Sequence, residues 1–196
     1  MKIINLLLTI LGISLNMCST QPEEKILSLQ PCNSFTEQEA KVIKQKMESE
    51  FFSLTHDSIQ IRILPNIKLG KELKNSKRYR GDRIIHYFNE QSTSNEIILG
   101  LMHEDISVST PSCDDWGVLG YAYSKGGNAG VVSDHRLRNK HDLWKVAVHE
   151  FIHTYYNYGH CPEDNPNCFI QAGHGKANTK IKTGLCKTCL NNLRKK

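Results

Sequence analysis

The sequence predicts an α/β (α+β) fold: a mixed sheet, one histidine-bearing helix packed beneath it, and a small C-terminal unit rich in cysteine. Three observations lead there. Short apolar or alternating runs interleave with helical periodicity between residues 26 and 156. Ile97-Ile98-Leu99-Gly100-Leu101 is continuously apolar, as a strand buried on both faces is. Beyond Cys161 the periodicity stops, so that region needs something other than a hydrophobic core to hold it.

Taken in order, Ile26-Leu27-Ser28-Leu29 alternates like a short strand that ends before Pro31. Ser34 or Thr36 can cap a helix running to about Phe52, with Ala40, Val42-Ile43 and Met47 on its apolar face. Ile59 to Leu64 alternates and stops at Pro65, a second strand. A helix over about Gly81 to Asn89 turns Ile84, Ile85 and Phe88 inward. Glu96 to His103 is the central buried strand, and Val118 to Tyr123 and Gly130 to Val132 are further strands separated by the Gly126-Gly127-Asn128 turn. Asp142 begins a helix through about Tyr156 that carries Leu143, Val146, Ala147 and Phe151.

With 196 residues, 39% of them hydrophobic, the chain can build one domain with a core and a small appendage. There are no internal repeats. The net charge of +5 is modest, and no arginine stripe with interleaved aromatics appears, so no nucleic-acid partner is expected. Lys2 followed by the apolar run Ile3 to Leu11, fading by Met17, is too short to span a membrane and fits an export signal. Cys18 stands where a bacterial lipoprotein carries its lipidated cysteine, with Leu15 three residues before it; ordinary cleavage nearby is the alternative. The expected location is the bacterial cell envelope, with membrane contact only through a lipid anchor at Cys18, and the protein is expected to be a monomer.

The chemistry concentrates in His149-Glu150-Phe151-Ile152-His153 and in the histidine and cysteines C-terminal to it. Two histidines four apart leave one face of a helix a turn from each other, so both imidazoles can reach one metal ion, and Glu150 can address a water on it. His160, just past the helix end, completes a three-histidine set that leaves a fourth position open, as catalytic zinc sites do. Cys161, Cys168, Cys186 and Cys189 have the spacing of a tetrahedral four-sulfur zinc site, with two disulfides as the alternative in an oxidising compartment.

These residues resemble the archaemetzincins, a metzincin subgroup in which HExxHxxGxxHC leads into Cx4CxM, about seventeen residues, and CxxC. Here the run is HEFIHTYYNYGHC, PEDNPN, CFI, fifteen residues, and Cys186-Lys187-Thr188-Cys189. The similarity extends upstream through Lys77-Arg78-Tyr79, Ile97 to Leu101, Asp105, Gly117 to Tyr121 and Val131-Val132-Ser133, and so covers nearly everything from about residue 26 onward. Three departures stand out. His160 lies eleven residues after His149, where the family has ten; Tyr156 replaces the glycine that lets the chain leave the helix; Ile170 replaces the methionine beneath the metal site. Asn157 or Gly159 can take over the turn, since both tolerate the left-handed conformation.

The resemblance implies a metzincin-like catalytic domain over residues 26–160 and a structural four-cysteine zinc subdomain over 161–196, after an export signal (1–18) and a tether (19–25). It implies two Zn2+ per chain and a metallopeptidase, of endo- or aminopeptidase type, that hydrolyses a peptide or protein substrate with Glu150 as general base, first taking a proton from water and then passing it to the departing amine. It also casts Val118 to Tyr123 as the edge strand that pairs with an extended substrate, Gly120 permitting close approach. The alternatives are a catalytically idle, zinc-stabilised peptide-binding protein, or a zinc hydrolase of another amide. In a metzincin-like sheet the first and central strands lie side by side, so Cys32 and Cys113, left over from the metal set, are expected to emerge together as a disulfide or else to be two independent thiols. Tyr155, Tyr156 and Tyr158 at the helix exit can line a substrate cleft but are read as packing, with no catalytic role. His174 is a substitute ligand or an exposed loop residue, and His86, His103, His135 and His141 lack partners at ligand spacing.

Overall fold

The computed structural model describes residues 25–56, 59–123, 127–173 and 178–195. Strand β1 (Ile26–Pro31) leads to helix α1 (Glu37–Met47), which runs on through a π-helical turn (Glu48–Phe52) and the short α2 (Ser53–Thr55). Thr36 is the cap: its hydroxyl accepts from the Glu39 amide while the Glu39 carboxylate accepts from the Thr36 amide, so two otherwise orphaned N–H groups are satisfied together. Then come β2 (Gln60–Ile63), a 3-10 turn (Lys71–Leu73), β3 (Lys74–Asn75), β4 (Arg78–Arg80) and α3 (Gly81–Gln91). Strands β5 (Glu96–Met102), β6 (Ile106–Thr110), β7 (Cys113–Val118), β8 (Gly120–Ala122) and β9 (Ala129–Ser133) come next. A second 3-10 turn (Lys140–Asp142) opens α4 (Leu143–Tyr155), and α5 (Lys187–Leu193) comes last.

The main sheet has the order β2-β1-β5-β9-β8, parallel except for β8, which runs antiparallel to β9 at the edge. Its middle strand is buried throughout. Ile97, Leu99 and Leu101 point into a core shared with α1 and α4, while Ile98 and Met102 point into a second core with Ile84, Ile85 and Phe88 of α3. That two-sided burial is why β5 reads as an unbroken apolar run rather than an alternation. Where α1 meets α4, Phe51 and Phe52 set their rings edge-on to Phe151, with centroids 6.0 and 5.4 Å away.

Several expectations need correction. The structure has a second, four-stranded sheet (β3-β4-β6-β7) that the sequence does not announce, because β3 and β4 are only two and three residues long and β7 is half-buried or exposed along its length. The single strand expected over Val118 to Tyr123 is two: the chain leaves the second sheet at Val118 and joins the main sheet at Gly120. Pro31 is the last residue of β1 rather than lying beyond it. The Cys32–Cys113 disulfide does not form; both are free thiols. The first and central strands are indeed parallel neighbours, but β6 intervenes and carries Cys113 into a hairpin of the second sheet, opposite Thr110. Cys32 is fully buried against Gln30 and Ile67. The tail also contributes to the core: Phe169, Ile170 and Leu193 are buried in the α1–α4 cluster. The export signal, Cys18, His174 and Gly126 lie outside the described residues. Among the described residues no helix is long and apolar enough to cross a membrane.

The second sheet is tied to the first through Asp105. Arg78 donates to it at 2.8 Å, and Arg136 forks onto both of its oxygens at 2.7 Å. Burial alone would raise the Asp105 pKa, but the Arg136 hydrogen bonds and the surrounding positive charge hold it below the ordinary carboxylate range. Gly117 leaves room for the Arg136 guanidinium, which a Cβ there would meet at 2.2 Å. This cluster accounts for several upstream residues of the resemblance at one place.

Gly100, in the middle of β5, faces the Phe88 ring, and a Cβ there would lie 2.6 Å from Phe88 Cε2. Gly100→Ala should therefore destabilise the fold by about 1–3 kcal/mol, as overpacking does. Urea unfolding would register it as a lowered midpoint with an unchanged slope.

Candidate metal centre

Helix α4 presents its apolar side to β9, β8 and α1. Lys145, Val146, His149, Glu150 and His153 line the cleft, with Lys145, His149 and His153 four residues apart along one face and Val146, Glu150 and His153 beside them at spacings of four and three. The helix ends as the sequence required. Tyr156 still donates to the Ile152 carbonyl, and Asn157 takes the left-handed conformation (φ 48°) in place of a glycine. Of the two residues able to make that turn, Asn157 does so.

The exit brings His160 back over the helix despite the extra residue. The ligand-capable nitrogens of His149, His153 and His160 lie within 4.8 Å of one another, and the Nε2 atoms of His149 and His153 are 3.0 Å apart. Ligands about 2.0–2.1 Å from a tetrahedral zinc stand about 3.4 Å apart, so the set fits that ion. Two backbone carbonyls orient the helix pair. His149 Nδ1 lies 2.9 Å from Phe169 O and His153 Nδ1 lies 2.8 Å from Tyr158 O. A carbonyl only accepts, so each Nδ1 carries the proton and each Nε2 lone pair is left for a metal. Burial, above all, pushes the His149 pKa well below its ordinary value, and that of His153 down as well, which favours the neutral imidazoles that ligation needs.

The four cysteines form a second cluster, their sulfurs within 4.8 Å of one another and none oxidised. Cys161 Sγ and Cys186 Sγ are 3.7 Å apart, close to the edge of about 3.8 Å of a tetrahedron with Zn–S bonds of about 2.3 Å. The backbone amides of Cys186 and Cys189 donate to Cys168 Sγ and Cys186 Sγ at 3.5 and 3.4 Å, the pattern of a turn wrapped around thiolates. Burial, against hydrogen bonds from Cys189, pushes the Cys186 thiol up to about 11; burial and the neighbouring Cys186 push Cys189 higher still. Deprotonating four thiols in so small a space needs a cation, and this donor set suits zinc.

The clusters are joined. Phe169 is the residue after Cys168, and its carbonyl receives His149; Tyr158, whose carbonyl receives His153, places its hydroxyl 3.8 Å from Cys189 Sγ and accepts from Asn192 at 3.1 Å. Tyr155 stacks on Phe151 at 5.1 Å and Tyr156 sets its ring edge-on to Phe151, so those two are packing, as expected, whereas Tyr158 is a positioning residue the sequence does not reveal. Ile170 is fully buried, as an apolar residue in the core shared with α1 and α4. Of the other histidines, His103 has partners the sequence hides, Asp134 at 2.9 Å and Glu39 at 3.3 Å.

A cleft of about 640 Å³ opens above the three histidines. One wall is Trp116 to Ala122, including all of edge strand β8; the other is the tail around Gln171 and Lys182. Glu150 is the only carboxylate among the described residues of the lining. Burial pushes its pKa up to about 8, against the pull of the Lys182 ammonium. Lys182 is also invisible to sequence reasoning: Lys180 and Lys187 lie close to it in the chain, and nothing local distinguishes it.

No family model and no curated protein matches the sequence. Solved structures do. An archaemetzincin from Methanopyrus kandleri aligns with a TM-score of 0.71 at 20% identity, over 88% of this chain and 94% of its own. The archaemetzincin from Archaeoglobus fulgidus, solved with malonate, gives 0.65 at 21% identity over 85% and 99%. A zinc-dependent peptidase from Methanocorpusculum labreanum gives 0.64 at 18% identity over 85% and 99%. The chain has the archaemetzincin fold. Within that fold the departures at Tyr156, at the residue added before His160 and at Ile170 are absorbed without dispersing the histidine set.

Gly120 of β8 is where the edge strand meets Glu150. A Cβ there would lie 2.6 Å from Glu150 Oε1 and 2.7 Å from its Cγ. Gly120→Ala should make either strand or carboxylate retreat, and a crystal structure of the variant would show Glu150 displaced from above the histidines by about 1 Å, with the fold intact.

Proposed function

We propose that the chain is a zinc metallopeptidase that hydrolyses peptide bonds, holding one zinc at His149, His153 and His160 and a second at Cys161, Cys168, Cys186 and Cys189. The observation that carries this reading is the buried Glu150 carboxylate, set beside three converging imidazoles and against the glycine of an open edge strand. A site built only for structure would have no use for that carboxylate in that place. The fold neighbours, described as archaemetzincins and a zinc-dependent peptidase, support the same class.

Each part of the cleft takes a share of the work. Among the described residues β8 is the edge strand, paired only with β9, and the amides and carbonyls of its other side can align an extended peptide across the cleft. Zinc, when bound, polarises the scissile carbonyl and brings the pKa of a water towards about 7. Glu150 receives the proton of the attacking water and returns it to the departing amine; its burial makes it a stronger base than an exposed carboxylate and a competent acid after protonation. The Phe169 and Tyr158 carbonyls keep both imidazoles in one tautomer while this happens.

Two measurements test the proposal. Elemental analysis of the purified chain should find two zinc ions per molecule, falling to one in His160→Ala; one zinc in the unsubstituted protein, with the cysteines found as disulfides by mass spectrometry, would remove the second site. Glu150→Gln should lower peptide hydrolysis by about a thousandfold or more while zinc content and melting temperature hold. A Gln variant that cleaves a peptide library at the unsubstituted rate would mean that Glu150 is not the base. Peptide binding without turnover in the zinc-loaded parent would mark an idle binding protein instead.

A further inference from the structure

Three cationic side chains line the cleft among the described residues: Arg136, Lys145 and Lys182. Two are already matched by carboxylates. Arg136 forks onto Asp105 at 2.7 Å, and Lys145 lies 3.1 Å from Asp142. Lys182 is held differently, by backbone carbonyls: its Nζ donates to Phe169 O at 3.1 Å and to Gln171 O. An ammonium has three hydrogens, so two are used in fixing its place and one is left. It shares the Phe169 carbonyl with His149 Nδ1, which sets the cation beside the histidine cluster, at the wall opposite β8.

We propose that Lys182 receives a carboxylate of the substrate, so that the cleft selects peptides with an acidic side chain or a free C-terminus next to the bond cleaved. This rests on the peptidase reading. Geometry is its basis. Cys168, Glu150 and Cys161 bear on the Lys182 charge through space, but no carboxylate among the described residues hydrogen-bonds to it, so its third hydrogen is left for an acceptor that enters the cleft, and Glu150, the one carboxylate among the described lining residues, is committed to the proton transfer. A carboxylate accepting from a lysine already held in position gains a charge-assisted bond with little further ordering of the side chain. A neutral residue in the same place would offer that hydrogen only a weaker, uncharged acceptor.

The test reads binding, not turnover. Zinc-loaded Glu150→Gln protein is titrated with peptides matched in pairs: a glutamate-containing peptide against its glutamine counterpart, and a free C-terminus against its amide. At least one carboxylate form should bind about 10–100-fold tighter than its neutral partner, and the pair that shows the difference tells a side chain from a chain end. Adding Lys182→Gln should erase that difference while leaving the affinity for the neutral peptide and the zinc content in place; Lys182→Arg should retain most of it. Equal affinities within both pairs for the protein that keeps Lys182 would overturn the proposal, and that comparison needs no folded lysine variant. A preference that survives Lys182→Gln would overturn it equally. Failure of the parent to hydrolyse any peptide would count against the peptidase reading alone, because the affinities are measured without turnover.

Discussion

Two hydrogen bonds, from His149 Nδ1 to the Phe169 carbonyl and from His153 Nδ1 to the Tyr158 carbonyl, hold the candidate site together. Spacing on a helix brings two imidazoles near each other, but it does not say which nitrogen faces inward or how each ring is turned. The carbonyls decide both. Neither belongs to α4: Tyr158 lies in the turn that leaves the helix, and Phe169 sits within the cysteine cluster. The left-handed Asn157 is therefore more than a helix stop, because it aims the next carbonyl back at His153. The cysteine segment is likewise more than an appendage, since it supplies the carbonyl for His149, the second anchor of Lys182 and one wall of the cleft.

A second constraint is space at the sheet edge. Glu150 is on the helix face that the main sheet covers, and only a residue without a side chain at position 120 lets β8 pass over it. The same lack of a side chain that admits Glu150 brings the backbone of β8 within reach of anything lying above the histidines. On the proposed function, base and substrate-aligning strand are thus placed by one glycine. The parallel order β1-β5-β9 behind them, with cores on both faces, gives that edge a fixed platform.

Much of this is legible in the chain, for identifiable reasons. β5 announces itself because burial on both faces forces an apolar run, and α1 because Thr36 and Glu39 form a complete capping box. The candidate metal ligands are legible because coordination needs few residue types at tight spacing. The second sheet is not: β3 and β4 are two and three residues long, and β7 alternates half-buried with exposed positions. The unseen β6 is what makes the Cys32–Cys113 pairing look plausible, since without it Cys113 falls at the end of the wrong strand. The apolar contribution of the tail is hidden because Phe169, Ile170 and Leu193 obey no period; they pack as isolated side chains, Phe169 edge-on to Trp144 at 5.4 Å. Lys182 and the two orienting carbonyls leave no local signature, because a backbone carbonyl is present at every residue and only the fold selects among them.

The linkage between the clusters bears on what the four cysteines are for. Phe169, Ile170 and Leu193 bury apolar surface in the main core, so the tail does not depend on metal alone to stay attached. A zinc among the sulfurs would instead fix where within that packing the Phe169 carbonyl and the Tyr158 ring come to rest, through Cys168 on one side and Cys189 on the other. Partners of this kind matter to a metal site far more than their number suggests, because loss of one ligand-orienting hydrogen bond typically weakens metal binding by about 10–100-fold. On the proposed function, the cysteine site stabilises the folded tail by mass action and passes part of that stability to the imidazoles as preorganisation. The histidine site then owes its geometry to two elements at once: α4, which the sequence displays openly, and the cysteine segment, whose influence runs through backbone atoms.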